Sequence, residues 1–85
     1  DDNLQFYPNP AQNTAYIHLN SDVDLQTAQL KLYDMLGNEV VTMNHITDYN
    51  FKVDVSSLAD GCYIYKLFNK GLSAGTGKVV LQHNK

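Results

Sequence analysis

The stretch Ser56-Ser57-Leu58-Ala59-Asp60-Gly61-Cys62-Tyr63-Ile64-Tyr65-Lys66-Leu67-Phe68-Asn69-Lys70-Gly71 reads as a turn, an unbroken β-forming run and a second turn. Aromatic and β-branched residues favour a pleated, half-buried surface, and Ser, Asp, Asn and Gly bound the run on both sides. Successive side chains of a strand point to opposite faces, so Tyr63, Tyr65 and Leu67 should share one face and Ile64 and Phe68 the other. Core packing accounts for the tyrosine face, although such a face can also stack on sugar rings.

The same grammar extends in both directions. Upstream, Ala28, Leu30 and Leu32 alternate with Gln29, Lys31 and Tyr33 before Gly37-Asn38, after which Val40, Val41 and Met43 resume, the pattern of a hairpin turning near Gly37. Ala15, Ile17 and Leu19 fall on one face of an earlier strand with Tyr16 and His18 on the other, and Asn20-Ser21-Asp22 closes it. A short strand is expected at Leu4–Tyr7 and another from Phe51 to Val55. Downstream, the small-residue segment Ser73-Ala74-Gly75-Thr76-Gly77 reads as an exposed flexible turn before a last strand over Lys78-Val79-Val80-Leu81-Gln82. About seven strands without crossover helices predict an all-β fold of mostly antiparallel sheets, a small sandwich or barrel.

With 85 residues there is room for one domain and one modest core. The apolar fraction of 44%, with six tyrosines and three phenylalanines, is too high for a disordered chain. A net charge of −3 and only six scattered basic residues supply no cationic stripe, which removes the main term in nucleic-acid binding. No segment approaches the roughly 20 apolar residues that cross a bilayer, and the opening Asp1-Asp2-Asn3-Leu4 has neither the basic nor the apolar part of a signal peptide. The abrupt start is that expected of a fragment of a longer precursor whose signal lies upstream. The single cysteine, Cys62, cannot form an internal disulfide.

Sites of chemistry are weakly signalled. Gly77-Lys78 suggests a phosphate-binding loop, but Leu72 stands where the first glycine is needed, Val79 replaces the metal-binding hydroxyl, and the segment leads into a strand. His18, His45 and His83 lack the short spacings of a zinc site, and Cys62 has no companion. Asp22-Val23-Asp24 lacks the glycine and distal glutamate of a calcium loop. Ser56 and Ser57 lie outside a nucleophile elbow and are better read as turn-capping hydroxyls. With Glu39 as the only glutamate, no catalytic carboxylate pair can be assigned. The reading is a non-enzyme that takes no cofactor or metal.

Four motifs in series carry more. Tyr7-Pro8-Asn9-Pro10, then Leu32-Tyr33-Asp34 with Gly37 and Val40-Val41, then Val55-Ser56-Ser57-Leu58-Ala59-Asp60-Gly61-Cys62-Tyr63, and finally Gly77-Lys78-Val79-Val80-Leu81 with Lys85 closely resemble the type A sorting domain of type IX secretion cargo. Order and spacing agree over essentially the whole chain. Cys62 stands where that family more often has an aliphatic residue, and Asp60 where a small one is common.

The resemblance implies an Ig-like sandwich of about seven strands, residues 1–85, at the end of a larger secreted precursor of a Gram-negative bacterium. Its partners would be outer-membrane type IX translocon components, a sortase-like peptidase that cuts near the domain's N-terminal boundary, and the cargo in cis. The precursor would pass through the periplasm and its cargo would end secreted or on the cell surface. The family-motif residues are Pro8, Asn9, Pro10, Gly37, Leu58, Gly61, Tyr63, Lys78, Val79, Val80, Leu81 and Lys85. Beside this, Pro8 and Pro10 fix φ and should stiffen the approach to the domain, Gly37 and Gly61 should relieve strain at turns, and Tyr63 should anchor its strand. The last strand, if it lies at a sheet edge, is the candidate recognised surface, since edges offer unpaired backbone groups. A carbohydrate-binding or adhesion module, and a weak edge-strand homodimer, are the alternatives.

Overall fold

The computed structural model describes residues 4–83. Lys85 lies outside them. Seven strands follow one another: β1 (Leu4–Tyr7), β2 (Thr14–Leu19), β3 (Ala28–Tyr33), β4 (Glu39–Met43), β5 (Asn50–Asp54), β6 (Gly61–Asn69) and β7 (Leu72–Leu81), with one 3₁₀ turn at Leu25–Thr27 before β3. They form a three-stranded sheet ordered β1-β2-β5 and a four-stranded sheet ordered β4-β3-β6-β7, with every strand pair antiparallel. The expected sandwich is therefore the observed architecture.

The alternation read in the sequence sets which face is dry. Ala15, Ile17 and Leu19 of β2 and Ala28, Leu30 and Leu32 of β3 are buried, and they meet Leu67, Val79 and Leu81 from β6 and β7 between the sheets. Burying an aliphatic side chain of this size contributes about 1.5–3 kcal/mol. The tyrosine face of β6 also turns inward: Tyr63 is buried, and the Tyr65 ring stacks on Phe6 from the other sheet at 4.8 Å between centroids. A sugar-binding role for that face is thereby overturned, because both rings are committed to the core. The stacked tyrosine pair that does face solvent is Tyr7 with Tyr16, on the outside of the three-stranded sheet.

Two sequence expectations need correction. Ser73–Gly77 is not a turn: β7 begins at Leu72 and pairs with β6 through this segment, with a register shift opposite Leu67 and Phe68. The reason is a match of small to large. Tyr65 lies directly across from Gly77, and a Cβ built on Gly77 would fall within 3.0 Å of the Tyr65 ring. The aromatic covers the backbone that glycine leaves bare. Gly77→Ala should therefore cost about 1–3 kcal/mol by overpacking, as read from chemical denaturation. In a Tyr65→Ser background the same substitution should cost little; an equal cost in both backgrounds would contradict this account.

The second correction concerns Pro8 and Pro10, whose two preceding peptide bonds are both cis. They do not stiffen the approach to the domain. β1 precedes them, and they form the β1–β2 connection at the far end of the sandwich from where β1 starts.

Candidate functional site

Strand register places the described residues of all four motif segments at one end. Tyr33 at the end of β3 lies opposite Ile64 near the start of β6, Ile64 lies opposite Lys78, and Gly61 lies opposite Leu81. In the other sheet, Tyr7 at the end of β1 and Asp54 at the end of β5 flank the beginning of β2. A parallel bridge between Ala11 and Leu81 joins the two groups.

Asn9 makes the junction. Its side-chain amide imitates a backbone unit against the outer edge of β7, with Oδ1 accepting from the Val80 amide at 3.0 Å and Nδ2 donating to the Lys78 carbonyl at 3.3 Å. Ala11 continues the pairing: its amide donates to the Val80 carbonyl at 2.8 Å and its carbonyl accepts from Gln82 at 2.9 Å. β7 is an edge strand as expected, yet its Lys78–Gln82 rim is already covered by the chain itself. That covering is a recognised way of blunting an edge. Asn9→Ala removes both side-chain bonds and should cost about 1–2 kcal/mol, with faster hydrogen exchange at the Val80 amide; unchanged exchange there would contradict the pairing.

The β5–β6 corner is held to the same place. The Tyr63 hydroxyl donates to the Ala59 carbonyl at 2.6 Å, four residues back, the arrangement of a tyrosine corner in sandwich domains. Burial, and then the nearby charges of Asp34 and Asp60, push the Tyr63 phenol above its ordinary range. Leu58 closes the turn through its amide to the Val55 carbonyl, Ser56 bonds Asp54 through both its amide and its hydroxyl, and Gly61 takes φ +148° where the chain crosses sheets. Just beyond β7, His83 reaches back, its amide donating to Asp60 at 3.1 Å and its ring lying 2.5 Å from the same oxygen.

Asp34 organises the remaining motif, the β3–β4 turn. One carboxylate oxygen accepts from the amides of Leu36 and Asn38 at 3.0 and 2.9 Å, and the other accepts from the Asn38 side chain at 3.1 Å. Gly37 completes the turn at φ +89°, a conformation that L side chains rarely adopt. The bonds from Asn38, together with the Leu36 and Gly37 amides, hold the Asp34 carboxyl below its usual range. A lowered folded pKa contributes stability above the ordinary Asp value of about 3.9 and loses it as pH falls through the folded value. The Leu36 and Asn38 amide resonances should therefore stay native at pH 4 and shift only in more acidic solution; a midpoint at the ordinary value would contradict this.

Among the described residues no three His, Cys, Asp or Glu side chains are grouped to hold a metal ion. His18 bonds Asn50 on the outer face of β2, His45 sits in the loop before β5, and Cys62 is exposed alone. Asp24 caps the 3₁₀ turn while its backbone is gripped by the Asn69 side chain, and Val23 beside it is buried.

The sequence named Pro8, Asn9, Pro10, Gly37, Leu58, Gly61, Tyr63 and residues 78–81, and the fold brings them to one end. It did not foresee Asp60 with His83, or Ala11 as the residue that bridges to Leu81. Neither pairing leaves a periodic signal. No curated protein matches the chain. A family model described as "Secretion system C-terminal sorting domain" matches residues 5–82, which contain all four motif segments apart from Lys85 and both sheets apart from Leu4. With that match spanning nearly the whole sandwich, the chain belongs to the secretion system C-terminal sorting domain family.

Proposed function

We propose that this domain is the removable address label of a larger cargo protein, read at the end where its motif segments meet. Members of this family are non-catalytic signals for export across the outer membrane of Gram-negative bacteria, and membership implies the type IX machinery and a cargo domain as partners. Our finer reading is a type A label that forms one unit over residues 1–85, follows its cargo in the chain, and passes through the periplasm. A sortase-like peptidase then cuts near the N-terminal boundary, and the cargo is released or fixed to anionic lipopolysaccharide at the surface.

The observation that carries this reading is the opposition of two ends. β1 starts at Leu4, paired with Leu19, whereas Asn9, Gly37, Gly61 and Leu81 gather at the other end of a body whose longest extent is 38 Å. Cargo can hang from one end while machinery holds the other. On this reading Pro8, Asn9, Pro10, Gly37, Leu58, Gly61 and Tyr63 act by building that end, and residues 78–81 act by completing it; Lys85 belongs to the same motif. A pair of copies joined edge to edge would use β1, β5, β4 or the Leu72–Gly77 half of β7, since Asn9 and Ala11 cover the rest of the β7 edge. Mass spectrometry of a delivered reporter carrying this domain tests the cleavage. The expected product has lost about the 9.6 kDa of the domain; surface delivery of the uncut fusion would refute the removal step.

A further inference from the structure

We infer that the outer face of β3, β6 and β7 at the motif end is where a protein component of the secretion machinery docks, through an apolar centre rimmed by lysines. The inference rests on the sorting reading and names the surface of that domain which is read.

Two features mark this face. First, it carries exposed apolar side chains on a rigid support. Met35 and Leu36 are 60% and 89% exposed at the tip of the β3–β4 turn, which the Asp34 carboxylate pins by its bonds to Leu36 and Asn38. Met35 and the half-buried Ile64 of β6 line one open depression beside the turn, and Val80 is half-buried on the outward side of β7 beyond Ile64. A turn whose backbone is held this firmly has little backbone freedom left to lose when a partner covers Leu36. Contiguous exposed apolar groups mark interaction sites more often than scattered ones do.

Second, the charge is reversed. The chain as a whole is at −3, with six basic residues, yet three of those, Lys31, Lys66 and Lys78, point outward from this face against two carboxylates, that of Asp34, which is bonded to Leu36 and Asn38, and that of Glu39, which Lys31 engages at 3.1 Å. Lys66 lies over the Tyr33 ring at 5.4 Å and Lys78 stands beside Ile64 in the strand register, so Lys66 and Lys78 border the apolar centre. The complementary partner has an apolar centre and carboxylates around it. A protein surface fits better than an anionic lipid surface, because a protein can set carboxylates opposite Lys66 and Lys78 and leave Asp34 and Glu39 unopposed, whereas a layer of anionic headgroups would meet both signs at once.

The test uses a full reporter–domain precursor in a type IX-competent host. Leu36→Ser combined with Lys66→Glu and Lys78→Glu should lower delivery at least tenfold, as should Leu36→Ser with Lys78→Glu alone, while the purified variant domains keep the wild-type melting temperature. Lys52→Glu with Lys70→Glu, an equal change of charge elsewhere, should leave delivery intact. Normal delivery of the face variants beside a delivered wild type would overturn this inference and leave the sorting reading standing. Failure of the wild type itself would remove both. With vesicles of phosphatidylcholine and phosphatidylglycerol, the purified domain should not bind; binding that the same substitutions abolish would assign the face to lipid and overturn the protein partner.

Discussion

Removing residues 81–85 is expected to abolish export, leaving the precursor in the periplasm with its cargo domain folded. Leu81 is 1% exposed, lies opposite Gly61, and forms the parallel bridge to Ala11 that ties the β1–β2 connection to the four-stranded sheet. Gln82 and His83, lost in the same deletion, supply the amide bonded to Ala11 and the ring and amide bonded to Asp60. Loss of a buried leucine alone costs about 2–5 kcal/mol, comparable to the whole stability of so small a domain. The end at which the motifs meet would come apart. Cell fractionation with an antibody to the cargo reads the outcome, and normal export of the truncated precursor would contradict the account.

The second large effect belongs to the centre of the sandwich. Leu67→Ala should destabilise the domain by about 3–5 kcal/mol, because Leu67 is fully buried in the middle of β6, between Leu30 of β3 and Gly75 of β7. Gly75 has no side chain and cannot fill the space. Urea unfolding followed by circular dichroism should show a domain at the margin of folding, and a loss below about 1 kcal/mol would mean that the sheets collapse into the gap. In the precursor, the same substitution should reduce export, since on the proposed reading the label is recognised as a folded body.

Much of this fold could be read from the chain because its strands obey period two where they are half-buried. β1 runs over Leu4–Tyr7 as expected, and the inward rows of β2 and β3 are the apolar ones named from the sequence. The turn at Lys70 and Gly71, both at positive φ, follows from Asn69-Lys70-Gly71. What escaped was set by partners distant in sequence. The Leu72–Gly77 half of β7 has no alternation of its own, and its strand character comes from Tyr65 filling the space over Gly77, which becomes visible only once the register is known. Asn9 reads as a turn former between prolines, yet it acts 71 residues away, where its side chain pairs with Val80. The motif residues were nameable from the pattern of the family, but their convergence required the two sheets to be folded against each other.

The central claim is that these residues suffice to direct a protein through the type IX system. The direct measurement fuses them to the C-terminus of a reporter with a periplasmic signal peptide and locates the reporter in a competent host and in a secretion-deficient mutant. The account predicts delivery to the surface or medium in the competent host alone. Retention in the periplasm of both hosts would contradict it.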